Sequence, residues 1–151
     1  MRISMALLLV FALLSQALPV QACWALTPLP DVIRGNPVVV TGEITAIDLA
    51  EPQADTYVYD TAYITVSEVL KNELAGQTVV VGSRLALSMP STGNTMRMST
   101  DIQYRNGQAG IWILEFRDGS YWATYPGDFQ AIDRLAAVRD IVAAEKESGS
   151  E

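Results

Sequence analysis

Two aromatic-rich runs, Gly110–Phe116 and Ser120–Tyr125, flank the dipeptide Asp118-Gly119. That dipeptide supplies the left-handed residues of a tight β-hairpin turn, so the stretch is committed to two antiparallel strands. Other segments carry the same signal. Over Asn36–Leu49, Val38, Val40, Gly42, Ile44 and Ala46 share one parity. Val39, Thr41, Glu43 and Thr45 share the other, which predicts a strand with a polar outer face. Gly42 inside it marks a bend or bulge of the kind barrel strands need. A second long strand is predicted over Tyr57–Lys71, with Ile64 and Val66 on one face and Tyr57, Tyr59, Tyr63 and Thr65 on the other. A third is predicted over Gln77–Leu87, kinked at Gly82. Ser88–Thr100 contains Pro90, Gly93 and Asn94 and no apolar period, and is predicted as a long loop. Ile102–Tyr104 is a candidate extension of the sheet toward the tight turn at Asn106-Gly107. Pro126-Gly127-Asp128 then predicts a helix start, with Asp128 as N-cap and Phe129, Ile132, Leu135, Val138 and Val142 at helical spacing.

About five strands, one long loop and a C-terminal helix in 151 residues favour a mainly β fold. The expected form is a five-stranded, partly open OB-like barrel with a C-terminal helix rather than a seven-stranded sandwich. The chain is long enough for one domain. Half its residues are hydrophobic and only 18% are charged, which argues against disorder of the body.

Residues 1–22 read as an address. Arg2 supplies a short positive region, Met5–Leu14 is apolar throughout, Pro19 breaks the helix, and Val20-Gln21-Ala22 fits a cleavage site. This predicts a secretory signal peptide, because the apolar run is too short for a membrane span. Residues 23–145 form the expected domain and 146–151 a polar tail. The mature chain would open on Cys23, the sole cysteine, so no internal disulfide can form. Three readings of Cys23 stay open. It is the lipid-modified residue of a bacterial lipoprotein, a free N-terminal residue left by ordinary signal peptidase, or a small buried hydrophobe. The charge of −7 argues against nucleic acid, which needs a basic footprint. It equally disfavours a membrane surface unless Cys23 carries lipid.

The chain has no histidine. A Ser-His-Asp triad, a Cys-His pair and a His-ligated zinc site are therefore excluded within it. No P-loop, Rossmann, EF-hand or CxxC pattern is present. Asp60 and Glu115 are a conceivable acid/base pair, set against the commoner role of carboxylates as solvated surface groups. The expected protein is not an enzyme, and no cofactor or metal is expected within the chain. Tyr57, Tyr59 and Tyr63 either form an aromatic ligand platform or pack under a neighbouring element. Trp112 and Trp122 read as a cross-strand packing pair. Met89, Met96 and Met98 either line an adaptable partner-binding surface or fold onto the barrel.

Several of these pieces, in order, resemble the netrin-like domain, an OB-type barrel shared by the tissue inhibitors of metalloproteinases. They are Cys23 after a leader, Asn36-Pro-Val-Val-Val-Thr-Gly-Glu-Ile44, Tyr63-Ile-Thr-Val-Ser-Glu-Val-Leu-Lys71, Gly107 through Phe116, and the closing helix. The resemblance covers residues 23–144 and implies a non-catalytic protein that binds a protein partner, a zinc metalloprotease among the candidates. It implies that the amine and carbonyl of Cys23 would chelate the partner's zinc, with Trp24 and Ala25 continuing the ridge and Met89, Pro90 and Ser91 beside it. Family inhibitors begin Cys-x-Cys, and here the third residue of the ridge is Ala25. The alternative is a lipid-anchored envelope protein with a structural or assembly role, held by Cys23.

Overall fold

The computed structural model describes residues 27–148. Its elements are helix α1 (Leu29–Gly35), strands β1 (Val38–Asp48), β2 (Tyr59–Asn72), β3 (Arg84–Pro90), β4 (Ala109–Arg117), β5 (Ser120–Trp122) and β6 (Phe129–Gln130), and helix α2 (Leu135–Ser148). The strands follow the order β1-β2-β3-β5-β4, and β4 pairs back onto β1. The mainly β fold with a C-terminal helix is as expected. The ring is closed rather than partly open, through six residue pairs from Val38↔Leu114 to Glu43↔Ala109. β3 and β5 run parallel and the other junctions antiparallel. This arrangement is consistent with an OB-like fold.

Closure requires sharp bending of β1. Its register against β2 shifts at three points, between Val39 and Val40, Thr41 and Gly42, and Ile44 and Ala46. Such bulges add curvature and twist. Gly42 sits at the second of them, where a Cβ would come within 2.5 Å of the Thr65 carbonyl oxygen. It faces Gly110 of β4, whose own Cβ would collide with Phe129 and the Gln130 carbonyl of β6. The predicted hairpin forms, with Asp118 and Gly119 both at positive φ (52° and 77°), as a primed two-residue turn requires.

Two cores result. The barrel interior holds Val38, Val40, Ile44, Ile64, Val66, Leu85, Leu87, Met89 and Trp112. A second core lies outside the barrel, where Val39, Leu70, Ile111 and Ile113 meet Val32 and Ile33 of α1 and Val138 and Val142 of α2. The outer face of early β1 is therefore apolar and covered, not polar and wet. Lys71 anchors this layer. It is 4% exposed, and its Nζ donates to the Ile33 carbonyl at 2.9 Å and pairs with Glu145 at 3.4 Å.

Other expectations are corrected. The third strand begins at Arg84, not Gln77. Gly82 (φ +84°) turns the chain there, and Ser83 Oγ accepts from the Val80 N–H. Ser88–Pro90 continues this strand, and Ile102–Tyr104 is not in the sheet. The helix begins at Leu135, not Asp128. The Asp128 carboxylate turns back to accept the Tyr125 N–H at 2.8 Å, while Phe129 and Gln130 pair with β4 as a short sixth strand. α2 reaches Ser148, into the expected polar tail.

Burial, reinforced by Glu115, pushes the Asp128 carboxyl up to about 6, against the N–H groups of Tyr125 and Thr124. The folded value lies above the unfolded one, so the folded state binds the proton more tightly. The resulting stabilisation is full below about pH 4 and is lost as pH rises through about 6. Asp128→Asn keeps an acceptor for Tyr125 without the charge. It is expected to remove this dependence and to raise stability at pH 7 by about 1–2 kcal/mol, after discounting for solvent screening. Urea denaturation of both proteins from pH 4 to 7 checks it.

Candidate functional site

At the end of the barrel where β1 stops and β2 starts, two loops meet, 49–58 and 91–101. They are held by side chains that act as substitute backbone. Asp60, fully buried at the start of β2, accepts the Ala50 N–H with one carboxylate oxygen and the Thr92 N–H with the other, at 2.9 and 3.3 Å. Asn94 clamps Val58 from both sides, accepting its N–H and donating to its carbonyl, each at 2.9 Å. Gly93 lies so near Pro52 that a Cβ would stand 3.0 Å from the proline ring. Asp101 accepts the Met98 N–H with one oxygen and the Tyr57 hydroxyl with the other. Burial, aided by that carboxylate, pushes the Tyr57 phenol up to about 12.

Between the loops lies a pocket of about 310 Å³ lined by Asp55, Thr56, Tyr57, Asn94, Thr95 and Met96. Exposed apolar side chains belong to the same end: Leu49 (72%), Met96 (74%), Met98 and Tyr59. The Asp55 backbone has φ 60°, a left-handed conformation that Asp tolerates better than most residues.

The tyrosines do not form a flat platform. Tyr57 and Tyr59 meet edge to face with centroids 5.3 Å apart, and Tyr59 meets Trp122 the same way at 5.1 Å. The Arg117 guanidinium covers Trp122 at 4.3 Å, and that of Arg84 covers Tyr63 at 3.7 Å. The faces of Tyr63 and Trp122 are thus covered by guanidinium groups, and the edge-to-face contacts of Tyr57 and Tyr59 break up a shared flat surface. Trp112 and Trp122 are not partners. Trp112 is fully buried inside the barrel, whereas Trp122 lies opposite Glu115. Asp60 and Glu115 have separate duties, Asp60 in the clasp and Glu115 beside Arg117 at 3.7 Å.

Of the residues singled out by sequence, Cys23, Trp24 and Ala25 lie outside the described residues. Met89 points into the barrel core, Ser91 is buried, and Pro90 is half-buried opposite Tyr59. A partner reaching this end therefore meets Met96 and Met98 rather than Met89 and Ser91. The first described residue is on a different flank, where the Thr27 N–H donates to the Tyr125 hydroxyl at 2.8 Å, next to the layer of α1 over β1 and β4. Among the described residues, no group of three acidic or thiol side chains is arranged to hold a metal, and no helix is long and apolar enough to cross a membrane.

Sequence reasoning passes over the roles of Asp60, Asn94 and Asp101. Each acts on a segment far away in the chain, by up to 44 positions for Asp101 and Tyr57, and no local pattern announces such a contact. Asp60→Ala is expected to lower stability by about 2–3 kcal/mol, because it strips a charged acceptor from two backbone donors at once. Amide hydrogen exchange at Ala50 and Thr92 should accelerate together with the loss.

No protein-family model matches the chain, and no curated protein is similar to it.

Proposed function

We propose that this chain is an exported, non-catalytic binding module that engages a protein partner with the barrel end built from the 49–58 and 91–101 loops. The observation that carries this is the presence of exposed Leu49, Tyr59, Met96 and Met98 at the barrel end that holds the pocket, where buried Asp60 clasps the two loops. Exposed apolar side chains grouped on one surface mark interaction sites, and methionine adapts to the shape of a partner. The loop between the first two strands is also one that OB-type barrels use for ligands. The absence of histidine from the sequence favours binding over acid/base chemistry.

The resemblance to netrin-like inhibitors supports a finer version. In it, the free amine and carbonyl of Cys23 fill the open coordination position of a partner metalloprotease's zinc. The position of Cys23 directly after the leader equally supports a lipid anchor with a structural or assembly role, and acylation of the amine would abolish chelation. Intact-mass measurement of the exported protein separates the two, since a lipid increment on Cys23 overturns the inhibitor version. Without that increment, inhibition of a zinc protease that disappears when the amine is acetylated supports it. The module itself is tested by Met96→Ser/Met98→Ser. Partner binding that survives this change undiminished overturns the two-loop surface.

A further inference from the structure

Resting on that reading, we infer that the pocket between the two loops receives a cationic side chain, lysine or arginine, from the partner protein. The walls define the chemistry. Tyr57 supplies an aromatic surface, Met96 a polarisable one, Thr56 and Thr95 hydroxyls, and Asp55 a carboxylate. Tyr57 cannot swing away, because its hydroxyl is tied to Asp101. An aromatic wall beside a carboxylate suits an ammonium or guanidinium group. A pocket of about 310 Å³ lies at the small end of the range for ligand sites, a size suited to one long side chain.

Charge selects the occupant further. The two loops carry Glu51, Asp55 and Asp101 against Arg97 alone, and the Arg97 guanidinium donates to the Thr92 carbonyl within its own loop at 3.1 Å. The whole chain stands at −7, so a basic partner is drawn toward it and an acidic one repelled. The flexible stem of lysine or arginine would pass between Met96 and Tyr57, and Leu49, Tyr59 and Met98 would cover the partner's adjoining apolar surface.

The test is an amide chemical-shift titration of the exported protein with four probes: the N-acetyl methylamides of lysine, arginine and norleucine, and choline. Lysine or arginine probes are expected to bind in the millimolar range, shifting amides of 53–57 and 94–98, with norleucine silent. Asp55→Asn, which keeps a residue tolerant of the left-handed backbone, should weaken that binding about tenfold. Asp140→Asn, on the exposed side of α2, should leave it unchanged. Higher salt should weaken it as well. Equal binding of norleucine, preference for choline, shifts centred elsewhere, or indifference to Asp55→Asn each overturns the assignment. The module reading fails separately. If Met96→Ser/Met98→Ser abolishes partner binding while the cationic probes leave 53–57 and 94–98 unmoved, the two-loop surface stands and the cation pocket falls.

Discussion

Trp112→Ala is expected to lower the stability of this barrel by about 4 kcal/mol, from the range typical of large aromatic truncations. The indole is completely buried and fills the space between Tyr104, at 5.0 Å between centroids, and Phe129, at 4.7 Å. Its Nε1 also donates to the Gly42 carbonyl at 3.0 Å, in the strand that bends to close the ring. The truncation therefore leaves a cavity and an orphaned carbonyl at the β1–β4 junction together. Trp112→Phe retains most of the volume and isolates the hydrogen bond, at about 1–2 kcal/mol. Guanidinium denaturation midpoints of the three proteins check both figures. A small domain with total stability of about 5–15 kcal/mol would be left near its limit by the alanine variant.

Lys71→Met is expected to cost about 3 kcal/mol, the lower end for breaking a buried ion pair. The ammonium is the point where three elements meet: carried near the end of β2, it donates to the Ile33 carbonyl of α1 and neutralises Glu145 of α2. Glu145 is only 15% exposed. Removing its cation strands a desolvated carboxylate, with Arg34 Nε at 3.8 Å as its remaining support. The double variant Lys71→Met/Glu145→Leu should recover most of the loss, because replacing both charges differs from orphaning one. Urea denaturation of the single and double variants decides it. A double variant no more stable than the single one would show that Lys71 acts mainly through Ile33.

Much of the barrel is legible in the chain because its determinants are local. Asp118-Gly119 specifies its turn without help from the rest of the molecule. Alternation across Gly42–Ile44 and Ile64–Val66 places those residues on the correct faces. The errors fall where a tight turn or the pairing of a short strand overrides an element's intrinsic preference. Val79-Val80-Val81 has strand propensity, yet Gly82 turns the chain and only Val79 is buried. Asp128 is a sound N-cap by type, but its carboxylate closes a tight turn and delays the helix by seven residues. The second core is foreshadowed by uninterrupted apolar runs at Val38–Val40 and Ile111–Leu114. Such runs signal strands buried on both faces, which a helical layer supplies. The loop end shows the opposite case. Met96 and Met98 are visible as candidates, whereas the clasp of Asp60, Asn94 and Asp101 exists only once the strands have closed.

The ring is not equally strong all the way round. Only Leu87↔Tyr121 and Ser88↔Trp122 join β3 to β5, whereas ten pairs join β1 to β2. Thermal breathing is therefore expected to concentrate at this fastening, since local opening follows the line of fewest bonds. Opened there, the cylinder would become a curled ribbon whose β1, β2 and β4 remain covered from outside by the two helices. The free lip of that ribbon would be the strand leading directly into the 91–101 loop, so the surface we propose for a partner is also the part with most room to adjust its grip.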